Sequence, residues 1–128
     1  MDNNRLTGSY YTSQKIAQYM VDWAIRDASD SFLEPSFGDG VFLDAAVQRY
    51  NDFTDPHPAI IGVELQPTVY SKYMEGAGRK IQGFCQDFLT FTPSEKIMSV
   101  VGNPLMLPCE TLMRMQEPKQ LIAPRKTK

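Results

Sequence analysis

Cysteine and histidine are scarce in this 128-residue chain, with Cys85, Cys109 and His57 making up the whole set. Two cysteines build no disulfide framework, so a reduced, cytoplasmic setting is the default expectation. One histidine and no cluster at ligand spacing leave no candidate metal centre. His57 itself stands between Pro56 and Pro58, where it reads as a loop residue rather than a base. Long apolar runs are missing too. Nothing approaches the roughly 20 apolar residues of a spanning helix, and no apolar run follows the Met-Asp-Asn-Asn-Arg start. Neither a membrane span nor a signal peptide is expected. No internal repeat or low-complexity tract appears. What is present is globular in character: 42% hydrophobic and 22% charged residues, enough for one core.

Charge is unevenly spread. Residues 1–104 carry 8 Lys and Arg against 13 Asp and Glu, whereas residues 105–128 carry 5 against 2. The acidic part therefore gives way to a basic one that is rich in Met and Pro. This divides the chain into a folded unit, 1–104, and a tail, 105–128, whose composition predicts disorder.

Within the first unit, Ile16, Tyr19, Met20, Trp23 and Ala24 recur at helical spacing over residues 13–27, behind Thr12 or Ser13 as N-cap. Residues 31–35 read as a strand and 41–50 as a helix. Residues 59–63 form a second apolar strand, 67–75 a helix, 79–83 a third strand and 97–101 a fourth. Such alternation predicts an α/β fold with a parallel, Rossmann-like sheet of about four strands.

The run Phe32-Leu33-Glu34-Pro35-Ser36-Phe37-Gly38-Asp39-Gly40-Val41-Phe42-Leu43 carries the most information. A strand enters an acidic turn, passes Gly38 and Gly40, and starts a helix, so a ligand can approach the backbone closely. Glu34 adds a carboxylate that suits a cationic or polyol ligand. In an open parallel sheet, ligands sit beyond the carboxyl ends of the strands. Glu34, Glu64, Asp87 and Asn103 all fall there. Glu64 can accept two ribose hydroxyls, and Asp87 an exocyclic amine with Phe88 flanking a purine. Singly, each also reads as a cap or a solvated turn. Their recurrence favours an adenosine-type ligand.

This series resembles the class I S-adenosylmethionine-dependent methyltransferases, and more narrowly the adenine-N6 DNA methyltransferases of restriction–modification systems. Gly8-Ser9-Tyr10-Tyr11-Thr12-Ser13 is similar to that family's Gly-x-Tyr-Tyr-Thr-Pro opening, with Ser13 in place of proline. Leu33 to Leu43 is similar to its cofactor loop, Val63-Glu64 to its ribose acid and Gln86-Asp87-Phe88 to its adenine acid. Val100-Val101-Gly102-Asn103-Pro104 is similar to the run into its catalytic Asn-Pro-Pro-Tyr.

The resemblance implies S-adenosyl-L-methionine as cofactor. Tyr11, Thr12 and the turn around Glu34, Pro35, Gly38 and Gly40 would hold its methionine part, Glu64 its ribose, and Asp87 with Phe88 its adenine. It implies DNA as partner and a flipped adenine whose amine is held by the Asn103 side chain and the Pro104 carbonyl.

The likeness ends at Pro104. Leu105-Met106 stand where the family has Pro-Tyr, so the aromatic that stacks on the extruded base is replaced. The later strands and the region that reads DNA have no counterpart here. The expectation is a gene fragment, or a frameshift after codon 104, inactive alone or completed by a separate C-terminal subunit. A non-catalytic S-adenosylmethionine-binding or assisting subunit is the main alternative. Methylation of protein glutamine or RNA is a further one, though those enzymes usually lack the Tyr-Tyr-Thr opening.

Overall fold

The computed structural model describes residues 12–77 and 80–102. They form, in order, α1 (Gln14–Ala24), β1 (Phe32–Glu34), α2 (Val41–Asn51), β2 (Ile60–Glu64), α3 (Pro67–Ala77), β3 (Ile81–Cys85), a 3₁₀ turn (Phe88–Thr90) and β4 (Ser99–Val100). The four strands make one sheet of order β3-β2-β1-β4. Every pairing is parallel, with Phe32 opposite both Ile60 and Ser99, and Ile60 opposite Ile81. The α/β, Rossmann-like fold expected from the alternation is the fold observed.

Local chemistry sets the element ends. The Ser13 side chain accepts the Ile16 amide at the start of α1. The helix stops at Ala24, short of residue 27, because Ile25 turns extended (φ −92°, ψ 103°). Beyond it the Asp30 carboxylate accepts the amides of Arg26 and Asp27, fixing a tight turn into β1. β3 lies two residues later than expected, and β4 keeps only two of its five expected residues.

Alternation along the strands divides the sheet into two unlike faces. Phe32, Ile60 and Ile81 point into the main core, where Ala17 and Val21 of α1 and Leu43, Ala46 and Tyr50 of α2 meet them. Full burial of each large apolar side chain contributes about 1.5–3 kcal/mol. Tyr50 is buried at the far end of this core, and its hydroxyl donates to the Asp30 carbonyl. On the opposite face Leu33, Val63 and Phe91 form a smaller cluster with Ile61, Phe84, Phe88 and Ile97. No described helix covers that face.

Of the apolar stripe that predicts α1, Ala24 packs against the core and the four larger residues stay exposed. Ala17 and Val21 face the core, while Tyr19 and Trp23 are 77% and 69% exposed. Small residues let α1 pack closely on α2, leaving the larger ones outside.

Candidate binding cleft

The strand order reverses at β1: the chain steps outward to β2 and β3 on one side, then returns to β4 on the other. Such a switch point opens a crevice beyond the strand carboxyl ends. Here it is a cleft of about 540 Å³, lined among others by Thr12, Glu34, Gly38, Glu64, Gln66 and Tyr73. That volume lies within the usual range for small-molecule sites.

Glu64 organises the floor. One carboxylate oxygen accepts the Gly38 amide at 2.9 Å and the other the Gln66 amide at 2.9 Å. The strand end is thereby bonded to the glycine turn of the neighbouring strand. Each oxygen keeps a further lone pair, since a carboxylate accepts about four hydrogen bonds.

The turn after β1 is a left-handed excursion, with φ +55° at Gly38 and +83° at Gly40. A Cβ on Gly40 would stand 1.8 Å from a ring carbon of Tyr73, so the α3 aromatic rests on bare backbone. Tyr73 donates its hydroxyl to Asp44 at 2.7 Å. Burial, followed by the Asp44 bond and charge, raises its pKa far above the usual phenol range. The Gly38 amide is committed to Glu64, and the Gly40 amide donates to the Phe37 carbonyl at 2.8 Å. The turn therefore supplies shape rather than amide donors from its two glycines.

Glu34 is 1% exposed at the switch point and accepts the Ser36 amide at 2.8 Å. Burial pushes its carboxyl up to about 8; the Ser36 bond opposes this, and Glu64 and Asp39 add to it by charge repulsion. The carboxyl that the sequence puts at the end of β1 thus lies within the sheet, where burial favours its protonated form over the charged one. A Cβ on Gly102 would lie 2.4 Å from Glu34 Oε1, so the chain leaving β4 passes directly over it.

Of the residues expected to form the site, Thr12, Glu34, Gly38 and Glu64 line this one cleft. Gly40 is buried beneath Tyr73, and Pro35 is half-buried within the turn. Asp87 caps the 3₁₀ turn by accepting the Leu89 amide at 2.9 Å. Phe88 packs with the smaller apolar cluster. Neither lines the cleft, although the Gln86 amide donates to the Glu64 carbonyl and holds the Asp87 turn beside it. Tyr11, Asn103, Pro104 and the tail 105–128 lie outside the described residues.

Gln66, Lys72, Tyr73 and Asp44 line the cleft without having been expected there. Gln66 could have been found from its position two residues beyond a strand-end acid. Tyr73 had no local signal, since only the packing of α3 brings it to Gly40. His57 lies before β2, at the amino ends of the strands, stacked 4.3 Å from Tyr50.

No protein-family model matches the chain. Two curated proteins do resemble it. Over 119 residues, 86% of this chain, it is 25% identical to the type II methyltransferase M.HincII of Haemophilus influenzae. It is 25% identical, over the same length, to the type II methyltransferase M.HindII of Haemophilus influenzae strain Rd. The likeness is to methyltransferases. The matched stretch makes up 19% and 18% of those proteins, so the chain spans about a fifth of the length of the curated relatives it matches.

Proposed function

We propose that this chain is the cofactor-binding part of a DNA methyltransferase that acts on the N6 amine of adenine and uses S-adenosyl-L-methionine. The observation that carries the reading is the Glu64 carboxylate. It is held by Gly38 and Gln66 on the floor of a cleft at the sheet's switch point. The likeness to two type II methyltransferases supports it.

The donor set suits such a cofactor. Glu64 retains lone pairs for the two hydroxyls of a ribose, and Thr12 lines the same cleft. Asp87, one turn beyond β3, would accept an adenine amine. Bound there, S-adenosylmethionine supplies a methyl group activated by its sulfonium.

The protein's own part is positioning. The Asn103 side chain and Pro104 carbonyl would accept the two N–H bonds of the target amine. That draws the nitrogen lone pair out of the ring and aims it at the methyl group. Holding two reactants at near-attack distance supplies a large share of such a rate enhancement. Glu34 lies against Gly102, the residue before Asn103 in the chain.

Leu105-Met106, in place of the base-stacking aromatic, favours a second reading in which the chain binds cofactor without transferring its methyl group. Incubation with methyl-labelled S-adenosylmethionine and adenine-containing duplex DNA separates the two. The proposal expects transfer by this chain alone to be weak or undetectable and to appear once the remaining part of the enzyme is supplied. Label that goes to protein or RNA and never to DNA would remove the DNA reading.

A further inference from the structure

We infer that Tyr73 is a positioning residue for the cofactor, holding the glycine turn after β1 in the shape that receives the ligand's amino-acid end. This deepens the reading of the cleft as an S-adenosylmethionine site and rests on it. On that reading Glu64 and Asp87 take the nucleoside. The part of the cleft that runs from Glu64 past Gly38 and Asp39 to Asp44 and Tyr73 is then left for the methionine part. Tyr73 grips one residue of the turn twice. Its ring stands where a Cβ of Gly40 would be. Its hydroxyl donates to the Asp44 carboxylate at 2.7 Å, and the Asp44 amide donates to the Gly40 carbonyl at 2.9 Å. Ring, hydroxyl, Asp44 and Gly40 thus close a loop that joins α3, the first turn of α2 and the glycine turn.

The sheet holds the other end of the same turn. The Phe37 amide donates to the Val63 carbonyl at 3.0 Å and the Gly38 amide to Glu64 at 2.9 Å. These bonds fix the entry to the turn, whereas Tyr73 fixes its exit. Tyr73 is itself held in place. Its ring lies 5.1 Å from that of Phe37. Tyr70 and Met74, to either side of it along α3, rest on bare backbone of β3. A Cβ on Gly83 there would lie 2.9 Å from the Tyr70 hydroxyl and 2.8 Å from the Met74 sulfur. A side chain that shapes a site works best when packing locks its own rotamer, and small misplacements of a binding group are costly.

The test is calorimetric titration of the full chain with S-adenosylmethionine and, separately, with methylthioadenosine, which keeps the nucleoside and sulfur but lacks the amino-acid end. Tyr73→Leu should weaken S-adenosylmethionine binding about tenfold or more, and methylthioadenosine binding by less than about threefold. Tyr73→Phe keeps the ring on Gly40 and should stay within about threefold of the parent for both ligands. Circular dichroism at the titration temperature shows that each variant is folded. Should Tyr73→Leu lose helix content, Tyr73→Met takes its place with the same expectation, since it fills the space without a rigid ring. A merely structural role would lower both affinities by the same factor, and that result overturns the inference. If the parent binds both ligands and the variant changes neither affinity, only the inference falls. If the parent binds neither, the cofactor reading falls and takes the inference with it.

Discussion

Glu64 accepts the backbone amide of Gly38 at 2.9 Å, so the end of β2 holds the glycine turn that follows β1. Its second oxygen holds Gln66 in the same way. Two charge-assisted bonds at a residue only 7% exposed are each worth about 1.5–3 kcal/mol. Glu64→Ala should lower stability by about 2 kcal/mol or more, read as a lower urea midpoint with unchanged slope. A midpoint equal to that of the parent chain would show that the turn holds itself.

Glu34 gives a pH dependence whose sign is opposite to that of most native carboxyls. Its folded pKa, about 8, is above the ordinary 4.5. The folded state therefore holds a proton that the unfolded state releases between these values. Stability from this group is full below pH 4.5, declines as pH rises, and is lost above about 8. Glu34→Gln keeps the shape and removes the titration. Its stability should exceed the parent's at pH 9 and change less between pH 5 and 9, by denaturation at each pH. Parallel curves for the two proteins would count against a buried, protonated Glu34.

Gly40 and Tyr73 should be energetically coupled. Gly40→Ala places a Cβ where the Tyr73 ring stands and also strains a residue at φ +83°. Each effect costs about 1–3 kcal/mol. A double variant with Tyr73→Ala relieves the clash but not the strain, so its loss should be smaller than the sum of the two single-variant losses. Simple additivity in a denaturation cycle would mean that the ring moves aside freely.

Much of this was legible in the chain because parallel sheets encode themselves locally. Each buried strand is a short apolar run, and Glu34 and Glu64 mark the ends of theirs. The glycine turn was legible for the same reason, since its conformation is required by neighbouring residues. The side on which α1 presents its apolar stripe was not. Periodicity reports that Ile16 and Trp23 share a face, but not whether small residues such as Ala17 win the contact with α2. The upward shift of Glu34 was hidden as well, because it follows first from burial in the assembled sheet and then from Glu64 on a different strand. Asp87 shows the limit of motif reading. Its local role as a cap is satisfied within the 3₁₀ turn, and any role toward a ligand depends on what the cleft takes up.

Calorimetric titration of the folded chain with S-adenosylmethionine tests the central claim most directly. The account predicts one binding site, an affinity loss of about tenfold or more in Glu64→Ala, where both acceptors for the ribose disappear, and a loss in Asp87→Ala. Absence of binding to protein shown by circular dichroism to be folded would contradict it, as would binding that Glu64→Ala leaves unchanged.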